Sequence, residues 1–165
     1  MSIPFTLLVE NLSSYFLSIR LSEFYATMLS AAILAPLIEE FAKAYPLFYR
    51  HGETEKSIFT LGFLVGLGFG LAEFLLYIFA YAAPILIRLP AILFHATNTS
   101  IIAYGIAKKR TLWFYLLAAF LHFLNNFSAQ FGLFWFIGGV AATAASYFLS
   151  WRLYRRTSEL STNNK

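Results

Sequence analysis

The chain contains no cysteine, so disulfides, thiolate metal sites and cysteine nucleophiles are all excluded. Charge is almost as scarce. Only 12% of the 165 residues are charged, against roughly 25% in soluble domains, while 59% are hydrophobic. There is no internal repeat, no low-complexity segment and no HExxH signature that would by itself demand a metal. Mean hydropathy is +0.67, and the chain reads as a polytopic membrane protein. Its length allows about five or six spans of roughly 20 residues, hence one all-α bundle with no separate soluble domain. A site for chemistry in such a chain has to be built from the spans themselves.

The net charge of +4 does not point to nucleic acid. The basic residues lie beside apolar runs, in "AKKR" and "WRLYRR", which is the positive-inside pattern. Residues 1–20 are apolar but carry Glu10, Asn11, Ser13, Ser14 and Ser18 toward one side. They are expected to form an amphipathic helix at the interface, with a sixth span as the alternative. The segment lacks a basic leader and a small-residue cleavage site, so it is read as retained, not as a removed signal peptide.

Five spans follow, at about 23–49, 57–83, 85–107, 112–130 and 134–154, making residues 23–156 the bundle and 157–165 a flexible polar tail. Pro36 and Pro46 mark kinks in the first. Gly62, Gly66 and Gly70 recur every four residues in the second, a stripe that lets another helix approach closely. With five spans the loop 50–56, the "KKR" of Lys108 to Arg110 and the C-terminus share one side. That side is expected to be cytoplasmic, in the cell membrane.

Within these spans sit ionisable groups that cost roughly 2.5 to 3.5 kcal/mol each at a helix centre, so their presence is a functional hypothesis by default. Glu39 and Glu40 are neighbours and point about 100° apart, with Lys43 one turn from both. Glu73 lies in the second span. Arg88 and His95 share a face of the third, which also carries Asn98 and Thr99. His122 and Asn126 project side by side from the fourth. At 1.5 Å per residue from the cytoplasmic ends, Glu39 and Glu40 lie about 14 Å deep, His122 about 15 Å, His95 about 18 Å, and Glu73 and Asn126 somewhat over roughly 20 Å. Four helices thus deliver polar groups to similar depths. Each taken alone has an ordinary structural reading: an ion pair, a snorkelling Arg88, a helix–helix hydrogen bond. The conjunction is what points to a site.

Three carboxylates against Lys43 and Arg88 leave about one negative charge over, so either one carboxyl is protonated or a cation binds. The metal-ligand candidates are His95, His122 and a carboxylate such as Glu73, with zinc the candidate metal; a metal-free glutamate mechanism is the alternative.

Four stretches, "EEFAK" at Glu39 to Lys43, "FGLAE" ending at Glu73, "RLPAILFH" ending at His95, and "HFLNN" carrying His122 and Asn126, resemble the motifs of the PrsW family of membrane-embedded proteases. They resemble the CAAX-protease and bacteriocin-processing family more distantly. Asn125 departs from the pattern, since PrsW-like sequences tend to have Trp there. The resemblance implies hydrolysis of peptide bonds within the membrane, acting on a membrane protein or peptide substrate. In that setting Glu39 would be the general base on a water, helped by Glu40 or a histidine. His122 with Asn126 would stabilise the oxyanion, His95 would position water or bind metal, and Lys43 and Arg88 would hold the carboxylates. Two other functions remain open at this point: a proton- or cation-coupled transporter or channel, whose midplane also needs such groups, and an inert scaffold that binds transmembrane segments.

Overall fold

The structure is a computed structural model describing residues 2–50, 53–131 and 133–159, with side chains described from Pro4 onward and not at 132–136. The loop positions 51–52 and the last part of the expected polar tail, 160–165, lie outside the described residues. The described residues are predominantly helical, without strands. Six helices run in chain order: α1, Ser2–Arg20; α2, Glu23–Tyr49; α3, Glu55–Tyr81; α4, Ile85–Ala107; α5, Thr111–Ala129; and α6, Leu133–Tyr154. The observed bounds fall within two residues of the five expected spans.

Four helices are long and apolar enough to cross a membrane among the described residues, namely α2, α3, α4 and α5. The protein is therefore an integral membrane protein, and its outward faces fit lipid: Phe79, Leu86 and Trp113 are each more than 70% exposed. Helix α6, where the sequence places the fifth span, runs back from the end of α5 and packs on α4 and α5. Seryl and threonyl hydroxyls bridge it to α4, through Thr97 with Ser146 at 2.9 Å and Ser100 with Ser150 at 2.7 Å. Small polar residues let helices approach closely and hydrogen-bond where apolar side chains gain little by leaving lipid.

The three basic segments meet at one end of the bundle. Lys108 at the end of α4 reaches Glu55 at the start of α3, and the backbone N–H of Ser158 also donates to Glu55. The end of α3 turns through Ala82, in the left-handed region at φ 51°, before Pro84 restarts the chain.

Helix α2 is the irregular one, and the reason is local. Pro36 has no N–H and its ring presses on the preceding turn. The backbone widens over Met28–Leu34 into a π-helical segment, in which the Ala35 N–H reaches five residues back to the Ser30 carbonyl. Regular helix resumes over Ala35–Ala44 and tightens into a 3-10 turn at Tyr45–Tyr49, around Pro46. The Ala31 carbonyl, passed over by the Ala35 N–H, finds a donor on α5 in Asn126 at 3.0 Å, and the Tyr115 hydroxyl adds a bond to the Leu37 carbonyl at 2.9 Å. Such re-satisfaction by a neighbouring helix is what makes proline tolerable at membrane depth.

The glycine stripe of α3 meets α4 almost backbone to backbone. A Cβ at Gly66 would stand 2.2 Å from the His95 carbonyl oxygen, one at Gly62 2.3 Å from Ala103 Cβ, and one at Gly70 2.9 Å from Ile92 Cα. This contact sets where His95 sits relative to Glu73.

Helix α1 packs against α2 and α3. Its polar residues Thr6, Glu10, Asn11 and Ser14 face a cavity inside the bundle, whereas Leu8, Leu12, Tyr15, Phe16 and Ile19 point outward. The polar stripe is turned toward protein, with the apolar side outermost.

Candidate active site

The cavity measures about 360 Å³ and is walled by α1, α2, α3, the start of α4 and the end of α5. Glu39, Glu73, Arg88 and Asn126 line it, as does Glu10. Behind this wall lie Glu40, Lys43, His95 and His122, each no more than 3% exposed. The ambiguity between the adjacent glutamates is thereby resolved: Glu39 opens on the cavity, and Glu40 faces the interior at 0% exposure.

Lys43 is the hub of the buried layer. Its ammonium donates to Glu40 Oε1 at 2.7 Å and to His95 Nδ1 at 2.9 Å. It lies 3.8 Å from Glu39 Oε2 and 4.6 Å from the centre of the Phe69 ring. Glu40 Oε1 also meets His122 Nδ1 at 2.8 Å. The two imidazoles stand edge to face, their centroids 5.2 Å apart.

Donor and acceptor chemistry then assigns the ring protons. A carboxylate oxygen only accepts, so His122 carries its proton on Nδ1 toward Glu40 and turns the lone pair of Nε2 toward Glu39 Oε2, 3.9 Å away. An ammonium only donates, so Lys43 occupies the lone pair of His95 Nδ1 and places the proton of that ring on Nε2. There it meets Glu73 Oε2 at 2.5 Å, a close contact that is off the line of a well-formed hydrogen bond. The two histidines are thus held in opposite tautomers by one salt-bridged Glu–Lys pair.

Glu39 Oε2 is buried and has no hydrogen-bond donor. The ligand atoms of Glu39, His95 and His122 all lie within 4.8 Å of one another, a group able to hold a metal ion. Glu73, the carboxylate expected from the sequence beside the two histidines, lies against His95 Nε2. The fit rests on two open donors as they stand, the orphaned Glu39 oxygen and the His122 Nε2 lone pair. His122 shows the arrangement typical of a ligating imidazole, with a carboxylate on its other nitrogen. His95 has both ring nitrogens engaged, Nδ1 by Lys43 and Nε2 against Glu73.

The remaining expected residues are placed as follows. Asn126 lines the cavity, but its amide nitrogen is committed to Ala31. Arg88 sits over the Tyr77 ring, 3.3 Å from ring centre to guanidinium carbon, and makes no ion pair with the carboxylates among the described residues. Asn98 and Thr99 are buried away from the cavity, with Asn98 donating to the Ala118 carbonyl at 2.9 Å. Sequence reasoning left out Glu10. Its signal was the polar stripe of α1, whose direction no periodicity reveals.

Among curated proteins and among solved structures, none matches the chain. One family does, over residues 1–151, and it is described as the PrsW family intramembrane metalloprotease. That match spans every residue of the cavity and of the layer behind it. Together with membrane-spanning helices it identifies an intramembrane protease, which works on protein substrates in a bilayer. The chain belongs to the PrsW family of intramembrane metalloproteases.

Proposed function

We propose that this protein is an endopeptidase that hydrolyses peptide bonds of membrane-embedded substrates with a glutamate-activated water. The observation that carries the reading is Glu39 Oε2, a buried acceptor without a donor, on a side chain that lines a cavity of about 360 Å³. A carboxylate in that position takes a proton from water and returns it to the leaving amine, a contribution of typically 10² to 10⁴ in rate. Glu40 and Lys43 act through others: they hold His122 and His95 in place and set their tautomers. Asn126 keeps α2 and α5 in register beside Glu39.

A second reading is favoured by the compact Glu39–His95–His122 group and by the family's description as metalloproteases. In it Glu39 and His122, joined by His95, hold a divalent cation, with zinc suited to such nitrogen and oxygen donors. Bound there, the cation would supply Lewis-acid polarisation of the scissile carbonyl. Water deprotonation then falls to Glu73, the other carboxylate that shares the cavity wall and the layer behind it. A transporter or an inert scaffold accounts less well for two histidines fixed in opposite tautomers beside an unpaired carboxylate.

Cleavage of a transmembrane peptide by protein reconstituted in liposomes, with and without a chelator, tests both. Loss on chelation and recovery with zinc supports the cation; full activity in chelator supports the metal-free glutamate mechanism. Absence of cleavage under every metal condition would overturn the protease reading. We further propose that residues 1–165 act as one membrane domain, in the cytoplasmic membrane, with the Glu55 end and the C-terminus on the cytoplasmic side. The basic residues gathered at that end support this.

A further inference from the structure

Helices α3 and α6 both pack on α4 but scarcely on one another. Between them lies a second cavity, a groove of about 320 Å³ with α4 as its floor. It opens outward past Tyr147 and Trp151, both about half exposed. The groove is separate from the active site. No residue lines both cavities, and the floor residue Thr97 lies two positions, about 200° of helix turn, from His95.

The walls are aromatic, with Phe59 and Phe63 from α3 facing Tyr147 and Trp151 from α6. Three hydroxyls also line the groove, and each spends its hydrogen inside the protein. Thr60 donates to the Lys56 carbonyl and Thr97 to the Leu93 carbonyl, both at 2.9 Å. Ser100 donates to the Thr97 carbonyl at 2.6 Å, which leaves Ser150 as the donor of the 2.7 Å bond between the two serines. A peptide laid in the groove would find no donor on the floor for its carbonyls, a cost that a hydrocarbon chain does not incur.

The end of the groove nearest Glu55 supplies a charge. The three carboxylates described at that end, Glu53, Glu55 and Glu159, are matched by Arg50, Lys108 and Lys56. Arg155 lies one turn beyond Trp151, its guanidinium carbon 5.2 Å from the centre of that ring. It is exposed and has no ion-pair partner among the described residues. Tyrosine and tryptophan at the lip are the side chains that favour the level of lipid headgroups.

We infer that this groove holds an acyl chain of an anionic phospholipid, with the lipid phosphate on Arg155. An unmatched guanidinium above an apolar slot complements a lipid of net negative charge, and its planar fork suits phosphate; a zwitterionic headgroup brings its own ammonium. The lipid bridges α3 and α6, which make little contact of their own.

Trp151 reports on the groove directly. The test uses the full chain with Trp113→Phe and Trp135→Phe, which leaves Trp151 as its one tryptophan. The protein is placed in phosphatidylcholine vesicles with rising fractions of phosphatidylglycerol brominated on its acyl chains, since bromine quenches indole emission on contact. Brominated phosphatidylglycerol is expected to quench at about 5-fold lower fraction than brominated phosphatidylcholine, the preference that one basic residue gives for an anionic lipid. Arg155→Gln removes the preference. Arg110→Gln, equally exposed at the same end but between α4 and α5, keeps it. Thr60→Phe, which fills the groove from an exposed position, removes it with Arg155 intact. Equal quenching by the two lipids would overturn the inference, as would a preference that survives Arg155→Gln or falls as much with Arg110→Gln. Trp151 shielded from both lipids would also overturn it, and would point to a second copy of the chain in the groove.

Discussion

Glu40 and Glu55 are both buried carboxylates at 0% exposure, and both are paired with a lysine, yet they belong to different kinds of region. At Glu55, Lys108 donates to both oxygens at 2.7 Å and the Ser158 N–H adds a third bond at 3.0 Å. The charge is matched by one partner and neither oxygen is left over. Around Glu40, one Lys43 is shared among two glutamates and a histidine, and Glu39, Glu40 and Glu73 each keep an oxygen without a donor. A saturated buried ion pair is a fastener. An unsaturated one keeps affinity for something outside the chain, whether water, substrate or cation. Burial and charge alone do not separate the two; the count of donors does.

This comparison is open to direct attack. The largest expected effect is at Glu39→Gln, which should lower cleavage of a transmembrane peptide by about 10² to 10⁴, the range of general-base catalysis, while the thermal midpoint in detergent stays level or rises. A variant that cleaves at the wild-type rate would remove Glu39 from the chemistry.

Glu55→Gln should show the opposite pattern. Removing one charge of a buried pair costs about 3 to 5 kcal/mol, so the midpoint falls markedly, while the turnover of the protein that stays folded is kept. Loss of turnover without loss of stability would place Glu55 in the active site and erase the contrast.

Next in size is Gly66→Ala. Its Cβ would meet the His95 carbonyl at 2.2 Å, so α3 and α4 must part, at a cost of about 1 to 3 kcal/mol for overpacking. Because the backbone that moves carries His95, activity should fall with stability, and both readouts on one sample check this. Asn126→Ala is expected to be the mildest. It leaves the Ala31 carbonyl without its donor, worth about 1 to 3 kcal/mol at most. A midpoint shift toward the lower end with cleavage retained would mark Asn126 as a brace. A rate loss of 10²-fold or more at unchanged midpoint would instead restore the oxyanion role.

Much of this protein was settled by its one-dimensional pattern. Long apolar runs can cross a bilayer only as helices, because no water is available there to satisfy a backbone, and so the bounds of α3 to α6 could be read within two residues. Basic residues beside those runs placed three chain segments at one end, where Glu55, Lys108 and Ser158 indeed meet. Ionisable residues inside apolar runs singled out Glu39, Glu40, Lys43, Glu73, His95 and His122. Their placement in lipid is too costly to be incidental.

What the sequence left undecided were directions. Adjacent glutamates 100° apart are equivalent until a neighbouring helix takes one of them, and here His122 and Lys43 claim Glu40, leaving Glu39 to the cavity. The tautomers of the histidines likewise depend on partners 52 and 82 residues away. Helix α1 is the clearest case. A helix with one polar side can turn it toward water or toward a polar cavity, and its own sequence is the same in both. Only the packing of α1 on α2 and α3 turned Glu10 inward, because the cavity carboxylates Glu39 and Glu73 lie on those helices, and their position is a property of the bundle.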